Sequence, residues 1–231
     1  MSGLSNPYSV FVTADDNVFV NNYGSGNAVS MWVPNATTGV LLMNLSSSCY
    51  SLFVDINSTL YCCLDLGHVV LTISLSAGTN TTTVVAGTGV AGSASTQFNT
   101  PYGIYVDTDF NLFIADCNNF RIQLFKPNQL SGITVAGNGA PGTIPLSYPS
   151  SVTADGNGYL FIVDNGNNRV VGSGPNGFRC IAACSGQSGA SPSQLFSPRS
   201  LAFDTDGNLF IADTYNSRVQ MFLLASNSCS K

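Results

Sequence analysis

Short, nearly unbroken apolar runs recur along the chain: LFIA at 112–115, LFIV at 160–163 and LFIA again at 209–212. Each is framed by Asp, Asn and Gly, the residues that tight turns use for positive φ or for side-chain bonds to the backbone. A four-residue apolar run between turn signals predicts a strand covered on both faces. In the stretch 101–136 this patterning predicts four strands, at 103–106, 112–115, 121–125 and 132–136. Turns are expected at 107–111 and 116–120.

The unit repeats. DTDFNLFIADCNNFRIQLF at 107–125 returns as DTDGNLFIADTYNSRVQMF at 204–222, with DGNGYLFIVDNGNNRVVGSG at 155–174 between them. Fainter copies are PYSVFVTADDNVFVNN from Pro7 and CYSLFVDINSTLYCCL from Cys49. Units therefore start near 7, 49, 101, 149 and 198, a period of about 48 residues, and such a period marks repeat architecture. Each unit reads as a four-stranded antiparallel sheet sandwiched between neighbours. The expected fold is all-β, a β-propeller spanning 7–222 as a single domain, followed by a tail at 223–231. Five units leave two alternatives: a five-bladed ring or an incomplete six-bladed one.

One segment imitates something else. TTTVVAGTGVAG (81–92) is a strand followed by G-x-G-x-x-G, with Asp107 twenty positions after Gly87, the spacing of a dinucleotide-binding fingerprint. A true fingerprint occurs once and opens a helix. Here the loop recurs as TVAGNGAPG (134–142) and IAACSGQSG (181–189) and runs toward a proline each time. It reads as a repeat loop, and no cofactor is expected.

Composition narrows the function. Charged residues are 8% of the chain, against roughly 25% in an average soluble domain. All twelve acidic residues are Asp, and only two Lys and five Arg stand against them. That leaves little to pair with phosphates, so nucleic-acid partners are disfavoured. No apolar stretch is long and continuous enough for a membrane span, and MSGLSNPYSV shows no signal-peptide pattern.

The string Pro-x-x-Ile/Leu-x-x-Asp, then Asn-Leu-Phe-Ile-Ala-Asp, then Asn-x-Arg-Val/Ile-Gln resembles the NHL repeat. It is strong in the third and fifth units, good in the fourth and faint in the first two. The resemblance implies a propeller, commonly six-bladed, that serves as a platform for protein or RNA partners; a minority of such domains are lyases or sensors. Each strong unit carries an Asp and an Arg five apart: Asp116/Arg121, Asp164/Arg169 and Asp213/Arg218. We read these as clamps on a hairpin turn, the carboxylate accepting turn N–H groups and the guanidinium crossing back to it. Asn22 and Leu64 stand at the Asp position of the first two units, and Val69 at the Arg position of the second. Those blades are expected to be held by other means.

Conventional catalytic chemistry is sparse. The single histidine, His68 in LDLGHVV, falls where the third unit has Phe120 and reads as a turn residue. The DTD of 107–109 and 204–206 reads as a backbone cap rather than a Ca²⁺ site. No Gly-x-Ser-x-Gly elbow exists. No catalytic, cofactor or metal residue is assigned. Among seven cysteines, Cys180 and Cys184 suit a short-range disulfide, and Cys49 suits a bridge to Cys62 or Cys63 that replaces the missing clamp of the second unit. Sequons occur at Asn35, Asn44, Asn57 and Asn80, no more than composition alone gives. The cysteines and scarce lysine favour an extracellular or secreted setting.

The leading expectation is a non-enzymatic interaction module that presents loops to a protein, peptide or glycan. Tyr102, Tyr148 and Tyr215, beside Arg199, are placed either to touch a partner or to wedge between blades. The alternatives are a central-channel metal-dependent enzyme, of amidating-lyase or lactone-hydrolase type, and an extracellular sensor domain of a larger receptor.

Overall fold

Pro7, Pro101, Pro149 and Pro198 each occupy the first position of a strand, where a missing N–H costs the ladder least. The computed structural model describes residues 4–78 and 81–223. Its first sheet contains β1 (Pro7–Val12), β2 (Val18–Asn22), β3 (Ala28–Trp32) and β4 (Val40–Asn44). The second contains β5 (Cys49–Val54), β6 (Thr59–Leu64), β7 (Val69–Ser74) and β8 (Thr83–Gly87). The third is β9 (Pro101–Val106), β10 (Leu112–Asp116), β11 (Arg121–Phe125) and β12 (Ile133–Gly137). The fourth is β13 (Pro149–Ala154), β14 (Leu160–Asp164), β15 (Arg169–Gly172) and β16 (Arg179–Ala182). The fifth has three strands among the described residues, β17 (Pro198–Phe203), β18 (Leu209–Asp213) and β19 (Arg218–Phe222). Each sheet is a meander in chain order. Five such blades in series make the fold a β-propeller.

The apolar runs become second strands. All five residues of β14 are buried, and β10 is nearly so, because neighbouring sheets cover both faces. The turn between second and third strands is tighter than a plain hairpin. It forms one turn of 3-10 helix at Cys117–Asn119, Asn165–Asn167 and Thr214–Asn216, ended by Phe120, Asn168 and Ser217 in the left-handed region.

By internal contacts the chain divides into two compact units. One comprises Met1–Leu112 and Phe125–Gly132, the other Phe113–Leu124 and Ile133–Lys231. In the first unit, Phe19, Val29 and Met43 pack with Leu52, Leu60 and Ile73 of the next blade. In the second unit, Phe161 and Val163 pack with Leu201, Leu209 and Ile211. On the first strand Val10 is 63% exposed, whereas its counterpart in the second blade, Leu52, is 4% exposed.

The nucleotide-like glycines are strand ends. Gly87 ends β8 with φ +89°, and a Cβ there would collide with the His68 carbonyl. Gly137 ends β12 with φ +82° and approaches the Phe120 carbonyl in the same way. No helix follows β8; residues 88–100 form a loop in which Gly92 N–H donates to the Phe98 carbonyl at 3.0 Å.

Candidate functional site

Strand direction gives each blade two ends. Inner strands start at the proline end, where the 3-10 turns and the loops between repeats also lie. They finish at the aspartate end, in the Asp turns.

At the proline end, the Nε of Arg121, Arg169 and Arg218 donates to Oδ2 of Asp116, Asp164 and Asp213 at 2.8, 2.8 and 2.7 Å. All three carboxylates are fully buried. The Asp side chain makes no backbone cap at the start of the 3-10 turn, but Oδ2 also accepts the side-chain amide N–H of the turn's own Asn119, Asn167 or Asn216 at 2.8, 2.9 and 2.8 Å. Asp164 Oδ1 instead accepts the Ser147 N–H at 2.7 Å, and Asp213 Oδ1 the Phe196 N–H at 2.7 Å. The guanidinium takes carbonyls of that same incoming loop: Arg169 reaches Pro145 O at 2.9 Å, and Arg218 reaches Ala190 O at 2.8 Å. The pair therefore moors the loop arriving from the preceding repeat to the second hairpin of its blade. Asn22 performs the neutral half in the first blade, accepting the Ser5 N–H at 2.8 Å.

A second set of contacts joins successive repeats. The left-handed residue after each turn meets the residue just before the next unit start. Ser48 Oγ lies 3.4 Å from Asn27 Oδ1, Thr100 N–H donates to His68 Nδ1 at 3.2 Å, and Ser197 N–H donates to Asn168 Oδ1 at 2.9 Å. In the third repeat Phe120 and Tyr148 make the contact as an edge-to-face pair 4.8 Å apart. His68 is thus a left-handed turn residue (φ +53°) with a seam role. Neighbouring Asp65 is half-buried, and burial pushes its carboxyl pKa up.

The second blade, lacking the Asp–Arg clamp pair, is stapled instead. Cys49 is bonded to Cys62, and Cys180 to Cys184. Cys63 takes no part because adjacent strand residues point to opposite faces; Cys49 lies opposite Leu64 and shares the face of Cys62. Two disulfides are chemistry of an oxidising environment. At the aspartate end, Asp107 Oδ1 accepts the N–H groups of Asp109 and Asn111 at 2.9 and 2.8 Å, and Asp204 does the same for Asp206 and Asn208. Among the described residues, no three His, Cys, Asp or Glu side chains gather as metal ligands. Asn35, Asn44 and Asn57 are exposed, and Asn80 lies outside the described residues. No helix of the described residues is long and apolar enough to cross a membrane.

The most distinctive surface lies at the proline end of the first unit. Inner strands β1, β5 and β9 pack in succession, and the second residue of each is tyrosine. Tyr50 and Tyr102 stack face to face, 3.8 Å between centroids with planes 7° apart. Tyr8 meets Tyr50 edge-on at 4.9 Å, and Tyr23 extends the row 6.3 Å from Tyr8. Tyr8 and Tyr23 are about half exposed. Hydroxyls one repeat apart fix the strand spacing beneath: Leu52 N–H donates to Ser9 Oγ at 3.1 Å, and Ile104 N–H to Ser51 Oγ at 3.3 Å. A rigid row of aromatic rings carrying hydroxyls and no charge suits a ligand with both apolar faces and hydrogen-bonding groups.

Of the aromatics singled out from sequence, Tyr102 belongs to this row. Tyr148 packs on Phe120, and Tyr215 on Phe196 at 4.9 Å. Arg199 occupies the second position of β17 and is partly buried. Sequence reasoning missed Tyr8, Tyr23 and Tyr50. The signal was present for two of them, since PYS, CYS and PYG place tyrosine second in three consecutive units.

A family profile for the NHL repeat matches residues 197–222. No curated protein matches the chain. Among solved structures, a nidogen/laminin complex superposes with a TM-score of 0.73 at 16% identity, over 95% of this chain and 76% of that one. An auxiliary nutrient binding protein from Bacteroides ovatus gives 0.69 at 16%, over 96% and 60%. A catalytically inactive His-to-Ala form of virginiamycin B lyase from Staphylococcus aureus, with quinupristin, gives 0.61 at 14%, over 97% and 88%. At such identities the likeness concerns the fold, a multi-bladed propeller in which one repeat, at 197–222, matches the NHL profile. Its blade ends form a scaffold able to present loops to partners or active-site residues.

Proposed function

We propose that this NHL-type propeller is an extracellular recognition scaffold that takes a neutral, hydroxyl-rich ligand, a glycan or an uncharged peptide segment, on the row Tyr23–Tyr8–Tyr50–Tyr102. The observation carrying this reading is the 3.8 Å stack of Tyr50 on Tyr102, continued by half-exposed Tyr8 and Tyr23. Tyrosine supplies large, rigid contact area at low entropic cost. A chain of net charge −5 with seven cationic residues disfavours anionic ligands. The two disulfides support the extracellular setting. The nutrient-binding and nidogen/laminin neighbours show that comparable scaffolds occur in binding proteins and in protein complexes.

Glycan and peptide arrays probed with the purified protein test this. The reading requires a hit that Tyr8→Ala and Tyr50→Ala each weaken at least tenfold while the melting curve stays cooperative. Silence on both arrays, or a hit indifferent to both substitutions, overturns it.

A second reading is catalysis of lyase type at the same end, favoured by the virginiamycin lyase neighbour whose inactive form replaces a histidine. His68 is the sole imidazole of the chain. Its Nδ1 accepts the Thr100 N–H, which leaves Nε2 as the position that carries or exchanges a proton. Because no metal donor set gathers among the described residues, no step through a metal is assigned. Incubation with quinupristin, the compound held by that neighbour, discriminates the readings: conversion that is lost in His68→Ala supports catalysis, and an unchanged compound removes it.

A further inference from the structure

At the aspartate end of the first two blades, far along the strands from the tyrosines, the sheets part to leave a crevice of about 300 Å³. Its floor is apolar: Phe19 and Ile73 are almost fully buried, and Met31, Leu42 and Leu75 close the sides. Its rim is polar and comes from three turns, with Thr13, Asp15 and Asn17 from the β1–β2 turn, Ser58 from the β5–β6 turn, and Ser74 at the end of β7. Asp15 is the one ionisable side chain in the lining. Asn17 Nδ2 donates to Asp15 Oδ2 at 2.6 Å, which fixes the carboxylate and leaves Oδ1 as a further acceptor.

We propose that this crevice is a second ligand site, taking a small amphiphilic primary amine with its apolar body on the floor and its ammonium at Asp15. Three observations set the class. The volume is at the lower end for small-molecule pockets, enough for one aromatic ring and a short chain. The floor provides only carbon and thioether surface, so the body of the ligand is apolar. The rim offers hydroxyl, amide and carboxylate acceptors without any cation, so an ammonium with three donors is matched and a carboxylate or phosphate is repelled. The site is independent of the tyrosine row, since it lies at the opposite strand ends and shares no residue with it.

Isothermal titration with three probes of equal shape tests the assignment: 4-phenylbutylamine, 4-phenylbutan-1-ol and 4-phenylbutanoate. The amine is expected to bind about tenfold more tightly than the alcohol, with the carboxylate weakest. Asp15→Asn lies at the exposed rim and brings the amine down to the affinity of the alcohol. Met31→Trp fills the crevice and abolishes binding of all three; Leu42→Trp serves as a second plug should Met31→Trp lose its cooperative melt. Equal affinities for the three probes overturn the proposal. So does the absence of heat at millimolar probe, or amine binding that survives a folded plugged variant.

Discussion

Asp164 Oδ2 receives the Arg169 Nε at 2.8 Å while Oδ1 of the same carboxylate holds the Ser147 N–H at 2.7 Å. One fully buried side chain thus fastens its own hairpin and the loop arriving from the preceding repeat. The first blade shows what the neutral version looks like, with Asn22 bonding the loop and Ala28 at the arginine position.

Removing only the arginine strands a buried charge. Arg169→Ala is expected to destabilise by about 3 kcal/mol. The double variant Asp164→Asn/Arg169→Ala, which copies the first blade, is expected to lose less than the single one. Exposure orders the series: the Arg121 side chain is 9% exposed and that of Arg218 30%, so Arg121→Ala costs more than Arg218→Ala. Urea unfolding measures all four, and a double variant weaker than Arg169→Ala contradicts the buried-charge account.

The two bridges close loops of unequal length. Cys49–Cys62 spans 13 residues and Cys180–Cys184 spans 4. Chain entropy assigns them roughly 3 and roughly 2 kcal/mol. The first also stands where the charge clamp is missing. Alanine pairs at each site, compared by guanidinium unfolding, should rank Cys49/Cys62 as the costlier loss; the reverse order would mean that the short bridge is supported by something other than loop closure.

Asp65 gives a pH signature. Burial raises its folded pKa above the unfolded value, only partly opposed by its backbone hydrogen bonds and the charge of His68. The native state therefore holds the extra proton across that window, and stability falls as pH climbs through it. Asp65→Asn removes this penalty. It should raise the melting temperature at neutral pH, with the gain shrinking to nothing in acid below the ordinary carboxylate range. A gain that persists in strong acid would point to packing instead.

Cys117 lies buried in the 3-10 turn, and burial together with the neighbouring Asp116 pushes its thiol to about 12. The thiolate is the reactive form. Iodoacetamide at neutral pH is expected to leave Cys117 unmodified in the folded protein and to label it after unfolding, as read by mass spectrometry. Labelling of native protein at a rate typical of an exposed thiol would sink this assignment.

Most of the repeat was legible because its signals are local. Residues 121–125 are β11 as predicted, and the other strands of that unit differ by one or two residues at their ends. Asp107 bonds N–H groups two and four positions on, and Arg121 reaches an Asp five back. Such bonds leave their mark in spacing. The loop partner of each clamp did not, because Ser147 and Phe196 donate through backbone N–H groups, which any residue possesses.

By itself the sequence determined the period, the strands, the turn chemistry and the family likeness, since each depends on residues within a few positions of one another. Tertiary structure alone decided that Cys49 takes Cys62 rather than Cys63, that Tyr8, Tyr50 and Tyr102 form one row, and that an apolar crevice opens beside Asp15. Those relationships join residues of different strands or of repeats some fifty positions apart. Which side chains then meet depends on strand register and on how one sheet packs against the next, and neither is written in the spacing of a single repeat.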